Sequence, residues 1–386
     1  MPRDPLVPHL RELGTTIFAE MSALAAETGS INLGQGFPDT DGPEEIKQIV
    51  ADAVWHGPNQ YPPGIGFAEL REAIATHQKR FYGLDVDPDS QVLVTAGATE
   101  AVTAALLALV DAGDEVIALE PYYDSYAAAI AMARGRRVPV TLHAPDFRLD
   151  VDALRAAVTP RTRLILLNSP HNPTGAVLSE AELQAVAEVA IDHDLLVVTD
   201  EVYEHLVYEG RHIPIATLPG MWERTVSISS AGKTFAFTGW KVGWVTGPAE
   251  LVAAVRTVKQ FLTYTNAAPM QPGIARGLGM PDEYYRTLAA DLARRRDLLS
   301  DGLRSAGFTV FPSAGTYFVS ADIRPLGYAD GLAFCRELPH RVGVVAIPHV
   351  VFYDNVDVGR PLVRFAFCKR DEVLSEAVER LQGLAG

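Results

Sequence analysis

The chain has 386 residues, 48% of them hydrophobic and 21% charged, with a formal charge of -15 from 33 basic against 48 acidic side chains. That balance suits a soluble, two-domain globular protein and opposes attraction to nucleic acid or an anionic membrane surface, so small molecules are the expected ligands. Its cysteines, Cys335 and Cys368, are too few for a disulfide framework and fit a reducing cytoplasm, and the longest apolar run, Tyr126 to Ala133, falls far short of the roughly 20 residues of a membrane span.

The opening MPRDPLVPHLREL holds no apolar core of signal-peptide length, so a cytoplasmic, untargeted chain is expected. The first predicted helix runs from Thr16 to Glu27 and leads into a Gly/Pro-rich stretch, Leu33 to Asp39. Up to about residue 280, short apolar runs then alternate with helical stretches. The runs at 91–95, 115–119, 164–167, 195–199, 225–229 and 242–246 suit strands buried on both faces. Helices are predicted at Thr99 to Val110, Ser125 to Ala133 and Ser179 to His193, the last opened by a capping box of Ser179 and Glu182. This is α/β, βαβ-type architecture around a mainly parallel sheet. Beyond 280 the pattern changes to a long basic helix, Glu283 to Ser305, separated strands at 317–320, 342–347 and 362–367, and a closing helix, Asp371 to Leu381. The expected division is a large domain, 46–280, and a smaller α+β domain built from both chain ends, 1–45 and 281–386.

Particular segments carry chemistry. At Val94 to Val102 a strand runs through Gly97 and Ala98 into a helix starting near Thr99, where free N–H groups and the helix dipole make a phosphate site; small residues there also serve tight packing alone. Neither this turn nor Gly34-Gln-Gly36 completes a dinucleotide-binding glycine pattern, which counts against a nicotinamide cofactor. At Leu167 to Gly175, Pro170 and Pro173 restrict the backbone around Asn168 and Asn172, which aims an amide or simply shapes a turn. Asp200 sits at the carboxyl end of a hydrophobic strand, where open α/β sheets bind ligands, and fits either a pyridinium partner or a helix N-cap. Lys233 follows a small-residue turn at the end of a buried strand. An amine must be neutral to attack an aldehyde, and a free lysine of pKa about 10.4 is mostly charged, so burial or a nearby cation such as Lys241 must lower it. Taken alone, Lys233 is an ordinary loop lysine.

Together, and in order from Asn32 to Lys369, these segments resemble class I pyridoxal-phosphate-dependent aminotransferases. SSAGKTFAFTGWKVGW is similar to the family's lysine signature, SPHNPTG to its asparagine loop, TDEVYEHL to its aspartate strand and VRFAFCK to its carboxylate-binding arginine segment. The resemblance implies an aspartate-aminotransferase-like fold, pyridoxal 5'-phosphate as cofactor, Lys233 as the Schiff-base lysine and Asp200 as partner of the pyridine nitrogen. It further implies Tyr203 and Asn172 on the ring hydroxyl, Tyr122 stacked on the ring, and Gly97, Ala98, Thr99, Ser230 and Lys241 around the phosphate. Tyr61 would reach that phosphate from a neighbouring subunit, making a homodimer with shared sites. Arg364 would take the substrate carboxylate through its planar fork, with Phe18, Gly36 and Asn172 lining the substrate pocket. Many relatives carry arginine where this chain has Lys241; the lysine version, LGQGFPD and EPYYDSY resemble the kynurenine and glutamine transaminase branch.

The implied reaction is ping-pong transfer from an amino-acid donor to a 2-oxo acid, 2-oxoglutarate first, with N-succinyldiaminopimelate, kynurenine, glutamine, methionine and glutamate as donors to compare. A β-lyase acting on cysteine conjugates is the nearest rival, and an amino-acid-sensing regulator is disfavoured because too few residues precede the enzyme-like portion for a DNA-binding module. No metal is expected: H-E-x-x-H is absent, and His171 and His349 sit in proline-containing loops. Arg294 to Arg296 reads as the solvated face of a long helix or a contact to an acidic substrate. Phe235, Phe237, Trp240 and Trp244 read as packing, and both cysteines as buried thiols.

Overall fold

The computed structural model describes residues 6–11, 13, 14 and 16–384, so the extremes of the expected terminal segments, 1–5 and 385–386, lie outside the described residues. Its central sheet runs in the order Val92–Thr95, Gly243–Thr246, Thr225–Ser230, Leu196–Asp200, Thr162–Asn168, Glu115–Glu120, Arg136–Thr141. Gly243–Thr246 is antiparallel to both neighbours, and the remaining pairings are parallel. Side chains alternate across each strand, and the sequence serves both faces: Leu164 and Leu166 enter one core with Ala101, Val102 and Val255, while Ile165 and Leu167 enter another with Leu183 and Val186. Each such side chain contributes about 1.5–3 kcal/mol on burial, so both helix layers are held to the sheet.

Helices Gly97–Leu109, Asp124–Met132 and Glu180–Asp192 lie within two residues of their predicted limits, and the Ser179–Glu182 capping box forms. Arg136–Thr141 was not expected as a strand. It is the sheet edge, largely unburied and carrying Pro139, so it lacks the apolar run by which the interior strands are read.

The chain ends meet in one further core, where Met21, Ala25 and Leu33 pack with Leu299, Phe334, Phe365 and Leu381. Ile31–Asn32 pairs in parallel with Val344–Val345, and Thr309–Val310, Phe318–Asp322, Leu362–Ala366 and Ile347–Pro348 form an antiparallel sheet. The single strand expected at 342–347 is therefore divided. Val342 closes a helix, Gly331–Val342, and Gly343 ends it in the left-handed region at φ 68°; the two short strands that follow join different sheets. Nor is the arginine triplet of helix Asp282–Ser305 simply a solvated face: Arg294 and Arg295 pair with Asp371, and Arg296 with Glu209 and the Ser313 carbonyl. Both cysteines are buried, and Phe237 stacks on Trp240 at 3.8 Å beside buried Phe235 and Trp244. Among the described residues no helix is long and apolar enough to cross a membrane.

Candidate active site

The carboxyl ends of the parallel strands open on a cavity of about 910 Å³. Of the residues singled out in the sequence, Phe18, Gly36, Gly97, Ala98, Thr99, Tyr122, Asn172, Asp200, Tyr203, Ser230, Lys233, Lys241 and Arg364 all line it. Tyr61 does not: it is 81% exposed and packs edge-on against Tyr264.

One end of the cavity is an anion cradle. Helix Gly97–Leu109 begins without a side-chain cap, leaving first-turn N–H groups free for a ligand. Gly97 has φ 74°, and a Cβ there would lie 3.3 Å from Lys241 Nζ, so glycine lets the ammonium hang over the helix start. Gly243 is equally constrained, since its Cβ would fall 2.6 Å from the Gly97 carbonyl carbon.

Lys233 stands on the one-turn helix Ala231–Thr234, straight after strand Thr225–Ser230, with Nζ 3.4 Å from the Gly36 carbonyl. Its pKa is lowered to about 8, chiefly by burial, with the nearby Lys241 and Arg364 charges acting in the same direction and Cys368 and Asp200 opposing. Lys241 is thus a contributing cation and desolvation the main cause. Asp200 ends its strand as a buried carboxyl whose pKa burial raises. It accepts a hydrogen bond from the Tyr126 hydroxyl at 2.7 Å and from the Val202 N–H at 3.3 Å, and Asn168 Nδ2 donates to the Asp200 carbonyl at 2.8 Å. The residue therefore has fixed orientation, and Lys233 is the cation whose charge reaches it.

Arg364 is a buried part of the cavity wall. Its Nη1 donates to Asn172 Oδ1 at 2.8 Å and Nη2 to the Gly34 carbonyl at 2.9 Å, with the guanidinium 3.9 Å above the Phe318 ring. Nε has no partner, and no carboxylate among the described residues pairs with it; burial lowers its pKa to about 10. The Asn172 N–H donates to Asn168 Oδ1 at 2.8 Å, so Asn168 satisfies local backbone groups while the Asn172 amide is the one directed at Arg364. Gly36 is required by contact, because a Cβ would strike the Phe318 ring at 2.5 Å.

Sequence reasoning missed several lining residues. Tyr126 was absorbed into an Ala-rich helix, though it holds Asp200. Tyr122 and Tyr123 divide differently from expectation: the Tyr122 hydroxyl engages Asp354 and its ring lies 5.6 Å from the Arg137 guanidinium, whereas Tyr123 bonds Thr99 and sits in the field of Asp200 and Arg364. The doublet itself is the signal, and both rings line the cavity, but nothing in it says which partner each one meets. Outside the cavity, His77, Glu204 and His205 bring potential ligand atoms within 4.8 Å, but the His77 and His205 Nε2 atoms bond each other at 2.7 Å, and Tyr82 and Ser229 take the two carboxylate oxygens.

Residues 28–381 match the family described as aminotransferase class I and II. The chain is 55% identical over 391 residues to a probable N-succinyldiaminopimelate aminotransferase of Mycobacterium tuberculosis, covering 98% of each. It is 42% identical over 387 residues to a methionine aminotransferase of Escherichia coli, covering 100% of each. The solved structure of the Mycobacterium tuberculosis N-succinyldiaminopimelate aminotransferase superposes with a TM-score of 0.96 at 56% identity, covering 98% of this chain and 100% of that one. Aspartate aminotransferase of Thermus thermophilus superposes with a TM-score of 0.91 at 33% identity, covering 99% and 100%.

Proposed function

The chain belongs to the class I and II aminotransferases, whose chemistry depends on pyridoxal phosphate, and from that premise we propose that it transfers the amino group of N-succinyldiaminopimelate to 2-oxoglutarate, a step of lysine biosynthesis. The observation that carries the reading is the buried, carboxylate-free Arg364 facing the same cavity as a lysine whose pKa burial has lowered. A desolvated guanidinium with an unpartnered Nε is costly unless a ligand carboxylate completes it.

The cavity suits pyridoxal phosphate on its own features. The Gly97 cradle with Lys241 and Ser230 fits the phosphate, and the buried Asp200, which forms no ion pair among the described residues, fits a protonated ring nitrogen. When bound, the cofactor supplies an electron-accepting ring conjugated to the substrate α-carbon. Lys233 would hold the cofactor, and its Nζ would serve as the base for the α-proton; its lowered pKa leaves a useful fraction neutral near pH 8. Asp200, fixed by Tyr126, would keep the ring nitrogen protonated. Tyr203 and Asn172 would meet the ring hydroxyl, Tyr123 rather than Tyr122 would stack on the ring, and Arg364 would clamp the α-carboxylate with Phe18 and Gly36 shaping that wall. Donor and acceptor use this clamp in turn.

The same reading assigns 46–280 to the cofactor domain and 1–45 with 281–386 to the smaller one. It places the enzyme in the cytoplasm as a homodimer in which each Tyr61 reaches the partner's phosphate site. A donor panel tests the assignment: transfer to 2-oxoglutarate from N-succinyldiaminopimelate should exceed that from methionine, kynurenine, glutamine and glutamate. Negligible turnover of the first beside rapid turnover of methionine would transfer the assignment to the activity for which the Escherichia coli methionine aminotransferase is named.

A further inference from the structure

The lysines and arginines lining the cavity are Lys233, Lys241, Arg364 and Arg137, and only Arg137 has no part in the reading above. It lies on the edge strand Arg136–Thr141, its guanidinium 5.6 Å from the centre of the Tyr122 ring. Asp354 accepts from Nε at 2.7 Å and from Nη2 at 2.5 Å. The Tyr122 hydroxyl is a further hydrogen-bond partner of the guanidinium, and the side chain remains 25% exposed.

The group is also braced from behind. The Asp354 and Asn355 N–H groups donate to the Glu120 carboxylate at 2.7 and 3.3 Å, and the Thr141 hydroxyl donates to the other Glu120 oxygen at 2.6 Å. A guanidinium carries five N–H donors, of which Asp354 occupies two and the Tyr122 hydroxyl engages another, so donors remain for a second oxyanion without breaking the ion pair. Its orientation is set beforehand, which reduces the entropy lost on binding.

We propose that Arg137 receives the distal carboxylate of the amino donor, making it the residue that selects long, acidic side chains over apolar ones. The inference rests on the aminotransferase reading and deepens its substrate assignment. A brace that only joined the edge strand to the 353–355 loop would affect every donor alike, whereas a distal-carboxylate receptor must affect acidic donors selectively.

The test compares kcat/KM of the holoenzyme for N-succinyldiaminopimelate, glutamate, 2-aminoadipate and 2-aminopimelate with that for norleucine, in the wild type, Arg137→Gln and Arg137→Lys. Cofactor absorbance and Tm are recorded for each. In Arg137→Gln the ratio of long acidic to neutral donors should fall about 10- to 100-fold, the loss of one charge-assisted contact, and Arg137→Lys should lie between. The lysine variant keeps the charge and decides the matter if the glutamine variant does not fold. An unchanged ratio, an equal fall for all donors, or a wild type that rejects every long diacid would overturn the proposal. If the wild type ignores N-succinyldiaminopimelate while the ratio for 2-aminopimelate still collapses, the donor assignment fails and Arg137 stands. If it uses that donor and the ratio survives substitution, the reverse holds.

Discussion

Lys233 and Arg364 are both cations that burial pushes toward neutrality, yet their consequences differ. For Lys233, a pKa of about 8 in place of the ordinary lysine value means the neutral amine is present above pH 8 and lost below it. The rate at which apoenzyme captures pyridoxal phosphate covalently, followed by absorbance, should therefore rise as pH passes through about 8; a rise only near the free-lysine value of about 10.4 would contradict the desolvated setting. For Arg364 the shape of the fork matters beside the charge. Arg364→Lys offers one point charge where Nη1, Nη2 and Nε are arrayed, and should lower kcat/KM about 100-fold or more, mainly through KM, with cofactor absorbance unchanged. These residues were legible because each lies in a contiguous segment whose type and order carry meaning. Tyr123, Tyr126 and Arg137 were not, since their significance lies in distances to Asp200, Thr99 and Asp354 that join distant parts of the chain.

At the scale of elements, the site depends on where strands stop and helices begin. The approach of Gly243 to Gly97 is backbone against backbone, so Gly243→Ala must move strand Gly243–Thr246 away from the start of helix Gly97–Leu109. That change should weaken cofactor binding and cost roughly 1–3 kcal/mol of stability, as overpacking does, measured by cofactor titration and by denaturation. Ser179→Ala provides a contrast: it removes the cap of helix Glu180–Asp192 away from the cavity, and should cost about 1 kcal/mol in denaturant unfolding while kcat is kept. The interior strands and capped helices were legible because burial on both faces and caps leave local patterns. The edge strand and the divided 342–347 segment were not, because the pairing of Arg136–Thr141 and the change of sheet after Gly343 are decided by distant partners.

For the whole molecule, the outer surface near Tyr61 raises the question of what covers it. Tyr61 packs edge-on against Tyr264, and Phe261 and Leu262, from the end of helix Ala249–Leu262, are 83% and 45% exposed. Isolated apolar side chains are ordinary at a surface, but a group of large aromatics is characteristic of an interface core. Burying each contributes about 1.5–3 kcal/mol, so a charge placed among them opposes association. If this face joins two copies of the chain, Phe261→Asp should convert a dimer to a monomer in light scattering at micromolar concentration, and cofactor affinity should fall with it because Tyr61 no longer meets the partner's phosphate site. Tyr61→Phe should keep the dimer and lose affinity alone, removing the hydroxyl without the apolar ring. A Phe261→Asp protein that remains dimeric with full cofactor affinity would place the subunit contact elsewhere, and a monomeric, fully active one would show that each chain completes its own phosphate site.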